Sequence, residues 1–526
     1  MRQSLRANIR AAVLIATAAA LVASPAAQGA GMTTHAWMAE EAVQHVKTPE
    51  LKALLAAQNL TLMSGAQFPD SGYAPGLGYG ETAHWEDYTD AFAAQIAAKP
   101  ECQETLAEPT GPCAQLVAHL MGSAAHGMGD EMWDWLFEPT MPDHGENPSS
   151  TSRSRVDDTP GFAELGTLSL GPDFQQWAID AEHGALDNQF GQLIGSSEYA
   201  MDVIAINDYG RTLWSPVPPP IADVQAVYSS LGEPVTEAEL MAGHAYVNAA
   251  LAGERLSVAE AHSVRADFGY SAAHMKTDPG GVDHTAVAIA GYYESVWEKL
   301  TGANPAPQIA QVTPAPESDE VPVRWQPAKT EPGPYEGRGG ARNRIHVALS
   351  NAVDARTLTP ETFRVLDSAG EPVPALEGFP KAGPYGSGSG THSILFYPAG
   401  DLEPCERYTA EVTTGLLNRK GKSLATAYRW SFKTETAGEH ACPPPPPPPS
   451  GDPSPTAAAV PSPDPAPAGE ALPSFEPAIA PAAEPDTGDR AALRQCVRKA
   501  KKLDNPKRRK KALAKCHERF GPDLAS

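Results

Sequence analysis

The spacing of apolar residues changes once along this chain, from a helical period before residue 302 to a strand period after residue 323. The strongest helical stripe is Leu116–Leu136, which reads LVAHLMGSAAHGMGDEMWDWL without a proline and predicts one helix over that range. Thr33 or Thr34 is predicted to cap the first helix. The other predicted helices are Thr34–Val46, Leu51–Ala57, Thr89–Lys99, Phe174–Asp180, Ser197–Asn207, Glu237–Leu251, Ser257–Phe268 and His284–Thr301. Residues 31–304 are therefore predicted to form an all-α domain.

Residues 323–437 carry the alternating pattern of strands. The segments RIHVALS, TFRVLD, SILFYPAG, RYTAEVTTG and YRWSFKT are separated by Gly, Pro and Asn turns, which predicts a small antiparallel β-sandwich. Many of the 52 prolines fall into two stretches, 305–322 and 438–488, which are predicted to be extended linkers. Residues 489–526 form a basic tail with two predicted helices. The whole pattern predicts a multidomain chain.

The first 30 residues carry arginines, then the apolar run Ala11–Ala23, then small residues, which is the pattern of a secretory signal peptide. Export allows the six cysteines to form disulfides. They occur as three pairs that are close in sequence, and the predicted bridges are Cys102–Cys113, Cys405–Cys442 and Cys496–Cys516. We therefore expect a secreted, extracellular protein.

The distribution of charge limits the class of partner. The formal net charge of −24 argues against nucleic acid, which usually requires a basic surface. Lys507–Lys511 in the tail is suited to anionic lipid headgroups or cell-wall polymers, and equally to a solvated tail. This basic cluster therefore predicts that the tail either contacts the cell envelope or has no partner.

Residues of metal-ligand type stand at helical spacing within the α domain. His126, Asp130 and Asp134 are one turn apart on the strongest helix, where small residues such as Gly122, Gly127 and Gly129 would let other backbones approach. A core helix with satisfied polar groups is the alternative. Further candidates are His35, Asp70, His84 and the pair His183 and Asp187. Each alone is more often a surface or core group, but together they predict a site for two or three zinc ions.

The segments THAWMAEEAV, SGAQFPD, ETAHW, GSAAHGMGD and EHGALD occur in the order found in the zinc-dependent phospholipase C family, which residues 31–300 resemble. That family includes bacterial enzymes that cleave phosphatidylcholine and the catalytic domain of glycosylphosphatidylinositol-specific phospholipase D. The closer likeness is to the phospholipase D branch. The β-sandwich resembles the bacterial Ig-like domains that follow enzymes and occur in S-layer proteins. We expect it to be a spacer or adhesion module.

The resemblance implies three metal sites. The first would use His35, Asp130 and the mature N-terminal amine, and the second Asp70, His84, His126 and a bridging Asp130. The third would use His183, Asp187 and a residue after Asp130. Family members usually place a histidine there, whereas this chain has Asp134 one turn on and Leu136 farther. The third site would therefore either bind its metal through one histidine and carboxylate oxygens or bind it more weakly.

These groups suit the hydrolysis of a phosphodiester, because divalent cations neutralise phosphate oxygens and lower the pKa of bound water. The resemblance implies that Asp70 orients or deprotonates that water, and Glu86 and Glu131 are expected to orient imidazoles. Phospholipid or glycolipid at a membrane is the predicted substrate, with C or D cleavage open. A zinc-dependent single-strand nuclease and a catalytically silent envelope-binding protein are the alternatives. The helical domain is expected to function without the rest of the chain.

Overall fold

A computed structural model describes residues 31–74, 76–144, 146, 197–211, 215–258, 261–319, 321, 344–376, 379–382, 391–436 and 515. The chain divides into two compact units, Met1–Gly438 and Glu439–Ser526, and the helical and β regions both belong to the first. Four predictions fall outside the described residues: the signal peptide, the helix Phe174–Asp180, the ligands His183 and Asp187, and the proline-rich linker 438–488. The basic tail lies outside them too, apart from Lys515.

The described residues before residue 304 form a helical region, as predicted. In chain order its helices are α1 Met32–His45, α2 Pro49–Ala57, α3 Asn59–Ala66, α4 Phe68–Ser71, α5 Gly80–Ala83, α6 Glu86–Ala97, α7 Pro100–Thr105, α8 Ala114–Met132, α9 Ser197–Tyr209, α10 Ile221–Ser230, α11 Glu237–Ser257, α12 Ala261–Asp267, α13 Gly269–His274 and α14 Val282–Leu300. Most of the short helices were not predicted, because four to eight residues are too few to show a period. Asp70 lies within one of these short helices, α4.

The predicted helix Leu116–Leu136 is α-helical only as far as Met132. A π-helical turn, Trp133–Phe137, follows it, and a 3₁₀ segment continues to His144. The turn is held by contacts from distant parts of the chain, since Arg344 Nη1 donates to the carbonyl oxygen of Trp135 at 2.6 Å. Gly280, at a φ of 81°, lies so close that a Cβ there would be 2.5 Å from the Phe137 nitrogen. A helical period contains no information about such contacts.

The small residues of helix α8 pack closely against the backbone of neighbouring segments. A Cβ on Gly122 would lie 2.1 Å from the carbonyl oxygen of Leu62, and one on Gly127 would lie 2.1 Å from that of His84. The prediction that small residues allow close approach is confirmed. The start of α8 is tied to α7 by the predicted disulfide Cys102–Cys113, whose Cα atoms are 5.4 Å apart. Cys442, Cys496 and Cys516 lie outside the described residues.

The β region contains two antiparallel sheets. Its strands are β1 Ile309–Thr313, β2 Ile345–Leu349, β3 Phe363–Leu366, β4 Lys381–Ala382, β5 Ser393–Phe396, β6 Arg407–Val412 and β7 Tyr428–Lys433. One sheet has the order β1-β2-β5-β4 and the other β3-β6-β7, with a shared core that includes Phe363, Phe396 and Phe432. The segment 305–322, predicted to be a linker, instead contributes β1. Its alternation was hidden by the prolines on either side.

The β region packs directly on the helices. Ala348 of β2 belongs to the helical core, and Trp135 of the π-helical turn packs with Leu395 and Tyr397. Asn351 donates to the hydroxyl of Ser295 on α14 at 2.8 Å. The predicted separation of these two regions by an extended linker is therefore wrong. Among the helices that the structure describes, none is long and apolar enough to cross a membrane.

Candidate metal centre

Five of the predicted ligands meet around helix α8. His35 comes from α1, Asp70 from α4 and His84 from the end of α5, while α8 itself supplies His126 and Asp130. They form two groups, His35–His126–Asp130 and Asp70–His84–His126, and the ligand atoms within each group lie within 4.8 Å of one another. His84 is half-buried and the other four are buried.

The two oxygens of Asp130 face different histidines. Oδ1 lies 3.0 Å from Nε2 of His35. Oδ2 lies 3.4 Å from Nε2 of His126 and 3.5 Å from Nε2 of His84. Asp70 Oδ1 lies beyond these two imidazoles, at 3.6 Å from His126 and 3.8 Å from His84. Asp130 therefore lies between one group containing His35 and another containing Asp70, His84 and His126.

Backbone carbonyls fix the orientation of two imidazoles. Nδ1 of His126 lies 2.6 Å from the carbonyl oxygen of Ala66, and Nδ1 of His84 lies 2.8 Å from that of Gly80. A carbonyl only accepts, so each Nδ1 carries the proton and each Nε2 of a neutral ring has a lone pair directed into the cluster. These two Nε2 atoms are 3.0 Å apart. Two facing lone pairs beside two carboxylates require a cation or a proton, so the donor set fits zinc.

The charges within the cluster shift the pKa values of its members. Burial alone would raise the pKa of Asp70, but His126 and His84 outweigh burial and hold it well below its usual range. Burial would lower the pKa of His84, but Asp70 and Asp130 raise it to about 9. Burial and repulsion from His35 lower the pKa of His126. Without a metal, His84 therefore carries the proton that compensates the carboxylates.

The position of His35 depends on two buried carboxyl groups of other helices. Asp202 on α9 accepts from the backbone nitrogen and the hydroxyl of Thr34, both at 2.7 Å. Glu254 on α11 accepts from the hydroxyl of Thr33 at 2.5 Å. The predicted caps are thus corrected: α1 begins after Gly31, and both threonines use their side chains to bind neighbouring helices. Burial raises the pKa of Asp202 to about 6.

Sequence reasoning missed Asp202 and Glu254, although Asp202 gave a signal. It is the single charge within the apolar segment AMDVIAI, and a charge at such a position requires a buried partner. Glu254 lies near the end of a longer helix with charges on several sides, so its burial was not apparent.

The more open side of the cluster is formed by His84 and Asp70, whose side chains are 8% and 9% exposed. The ring of Tyr73 lies 5.4 Å from that of His84 and the ring of Trp85 lies 6.3 Å from it. Glu81, which is exposed, accepts from the hydroxyl of Tyr73 at 3.0 Å and from the indole of Trp85 at 3.1 Å. An incoming molecule would meet two aromatic rings held by one carboxylate.

Other candidates do not join the cluster. Asp134 is buried in the π-helical turn and belongs to neither group of potential ligands. Glu131 and Glu86 do not orient imidazoles of the cluster: Glu131 accepts from backbone nitrogens of the β region and Glu86 accepts from Lys299 at 2.7 Å. His119, on the same helix, packs against Phe68 and Phe92. The third metal site thus has one described candidate ligand, Asp134, which joins neither group.

Comparisons with known proteins bear on the β region. A search among curated proteins finds no match. The solved structures with similarity include the crystal structure of the S-layer protein rSbsC(31-844), at 12% identity and a TM-score of 0.17. The alignment covers 66% of this chain and 45% of that one. The N-terminal part of the S-layer protein SbsC also matches, at 12% identity and a TM-score of 0.17, with 66% and 78% covered.

A family match is more specific than these structural similarities. Residues 303–434 match the family described as Bacterial Ig-like domain, Big_5. The match begins at residue 303, before the first strand β1 and earlier than the predicted boundary of 323. Residues 303–434 are thus similar to a bacterial Ig-like domain.

Proposed function

We propose that this protein is an exported, zinc-dependent phosphodiesterase that hydrolyses phospholipids, of C or D type. The observation that carries the proposal is the position of Asp130, whose oxygens face His35 on one side and the pair His84 and His126 on the other. A carboxylate placed between two sets of neutral nitrogen donors is suited to bridge two cations.

Two sets of residues would hold the metals. His35 and Asp130 Oδ1 would hold the first, and Asp70, His84, His126 and Asp130 Oδ2 the second. His126 can serve only one ion, because its Nδ1 is used by the carbonyl of Ala66. When bound, such ions neutralise phosphate oxygens and make water more acidic.

The residues of the chain contribute position and charge. His126 and His84 lower the pKa of Asp70, so Asp70 stays ionised, as a residue that binds a metal and orients an attacking water requires. The carbonyls of Ala66 and Gly80 hold His126 and His84 in one tautomer. The bonds from Thr33 and Thr34 to the neighbouring helices fix the turn that carries His35.

The surroundings favour a lipid over a nucleic acid as substrate. Tyr73 and Trp85 present aromatic surface at the open side, and Glu81 adds a negative charge there. A carboxylate at the entrance repels the repeated phosphates of a nucleic acid chain, as does the net charge of −24. Export follows from the predicted signal peptide, and the Ig-like domain is consistent with it.

The test compares three substrates in one assay: phosphatidylcholine, a glycosylphosphatidylinositol and single-stranded DNA, each with zinc and with chelator. We expect hydrolysis of at least one lipid that is lost with chelator, restored by zinc and absent in Asp130→Asn. Hydrolysis of DNA alone would favour the nuclease. Metal binding without turnover of any substrate would favour the silent envelope protein.

A further inference from the structure

Glu131 follows Asp130 on helix α8, and its carboxylate is buried against the Ig-like domain. It accepts hydrogen bonds from the backbone nitrogens of Ser393 at 2.8 Å and His392 at 2.9 Å, and from the hydroxyl of Thr391 at 2.9 Å. The exposed fraction of Glu131 is 1%, and those of the three donor residues are at most 3%. One short segment of the Ig-like domain thus surrounds a carboxylate next to a candidate metal ligand.

The three donors are electrically neutral. Within the described part of the chain, the nearest nitrogen of an ionisable side chain is Nδ1 of His392, which lies 3.8 Å from Glu131 Oε1. The charge of Glu131 is therefore stabilised by two peptide dipoles and one hydroxyl, as carboxylates are at anion-binding turns. Loss of these donors would leave a buried charge without compensation, so helix α8 and the segment Thr391–Ser393 are held in a fixed position relative to each other.

The same segment is fixed from a second direction. The ring of His392 packs on Tyr292 of α14 at 4.1 Å, and the hydroxyl of Tyr292 is 2.6 Å from that of Thr89. Further along, Arg344 donates to the carbonyl oxygen of Trp135, one turn beyond Glu131. The Ig-like domain therefore contacts Glu131 on α8 and also the π-helical turn that follows α8.

We propose that the Ig-like domain is a structural part of the metal centre, in which Thr391–Ser393 position Asp130 through Glu131. Consecutive residues of a helix cannot move independently, so fixing the carboxylate of Glu131 fixes the rotation of α8 that brings Asp130 between His35 and His126. This inference rests on the proposed function in so far as the cluster binds a metal. Glu131 is a positioning residue and contacts no substrate.

The test uses the full chain and two variants of the contact, Thr391→Val and Glu131→Gln. Thr391→Val lies in the Ig-like domain and removes one donor while the sequence of α8 stays unchanged. Asn351→Ala is the matched control, since it removes a buried hydrogen bond between the same two regions, to Ser295 on α14. The measurements are zinc affinity by competition with a chromophoric chelator, and the visible spectrum after cobalt substitution, which reports the coordination of folded protein only.

We expect zinc affinity to fall about tenfold in Glu131→Gln and severalfold in Thr391→Val, with altered cobalt spectra, because groups that orient metal ligands typically contribute 10- to 100-fold. Asn351→Ala should change neither. Equal effects in all three variants would overturn this inference, and so would unchanged zinc affinity in Thr391→Val and Glu131→Gln. Either result would leave the proposed function standing. If the unaltered chain bound no zinc, the proposed function would fail and this inference with it.

Discussion

At the scale of the residue, Asp130 is the group on which the candidate metal centre depends most. Its two oxygens approach three imidazoles at 3.0 to 3.5 Å. An amide in its place keeps the shape but supplies one oxygen instead of two and no charge. Asp134, in the π-helical turn that follows, is also buried and belongs to neither ligand group, so it provides a comparison close by in the chain.

We expect Asp130→Asn to reduce turnover about a thousandfold, on the order of 4 kcal/mol in the barrier, and Asp134→Asn to reduce it far less. The melting temperature in zinc should also fall more in Asp130→Asn, because metal binding is linked to folding. Rate assays and melting curves in zinc and in chelator make the comparison. Equal damage from both variants would show that Asp130 does not bridge.

Residue types and spacing were enough to predict His126 and Asp130, which lie one helical turn apart on α8. His35, Asp70 and His84 come from separate elements; their residue types made them candidates, and the family resemblance implied how they group with His126 and Asp130. The roles of Asp202 and Glu254 were not predictable, because each depends on the place where another helix begins. A local pattern identifies the residues of one element, whereas a contact between elements requires the fold.

At the scale of the element, close backbone approach positions helix α8. A Cβ on Gly127 would be 2.1 Å from the carbonyl oxygen of His84, which is backbone and cannot rotate away. Gly269, at the start of α13, has no atom within 4 Å of its Cβ position and is exposed.

Gly127→Ala should therefore lower the free energy of unfolding by about 1–3 kcal/mol and weaken zinc binding, because the segment carrying His84 must shift. Gly269→Ala should be neutral or slightly stabilising, as alanine is the better helix former. Denaturant unfolding and zinc titration measure both effects. An unchanged zinc affinity in Gly127→Ala would contradict the stated role of this contact.

Three histidines, of which His119 and His346 are buried and His284 is half-buried, predict a response to acid. Burial lowers the pKa of His119 to about 3, of His284 to about 4 and of His346 to about 3. Neither ring nitrogen of His119 or His346 bonds to a described residue. The unfolded chain titrates near pH 6.5, so between that value and about pH 4 it binds more protons than the folded chain. The contribution of these histidines to the free energy of unfolding is thus fully present above pH 6.5, and it decreases as the pH falls.

His119→Leu should flatten this dependence by up to about 1.4 kcal/mol for each pH unit between 6.5 and 4. The measurement is unfolding free energy against pH for the variant and the parent chain, and their difference isolates His119 from His84, whose raised pKa acts in the opposite direction. His45→Gln, at an exposed site, is the control. If the curves of unfolding free energy against pH were parallel for His119→Leu and the parent chain, His119 would not be the source of the pH dependence.

Elements were predicted best where the pattern was long. Helices α1, α8, α9, α11 and α14 and strands β2, β3 and β5 to β7 were found near their predicted places. The π-helical turn was missed because it is held by Gly280 and Arg344, and β1 was missed because prolines flank it.

At the scale of the whole molecule, charged residues of the kind usually found on a surface form ion pairs between the helical region and the Ig-like domain. Arg419 of the Ig-like domain pairs with Asp87 at 2.8 Å, and Lys420 pairs with Asp90 at 3.1 Å. Both acids lie on α6, which also carries Glu86. Such pairs contribute little individually, but Glu131 and Trp135, which also contact the Ig-like domain, are buried. The Ig-like domain thus covers part of the helical core, which sequence patterns of separate segments could not show.

The expectation that the helical domain functions alone can be tested against this interface. A chain ending at residue 304 would expose Glu131 and Trp135 and lose the donors of Thr391–Ser393. We expect a loss of about 2–3 kcal/mol, or roughly 5–10 °C in melting temperature, together with weaker zinc binding. A chain ending at residue 438 keeps the whole first unit and should retain both properties. The two chains are compared by melting curves with and without zinc. If the shorter chain melts and binds zinc like the longer one, the Ig-like domain is a spacer after all, and the contact at Glu131 has no influence on the centre beside it.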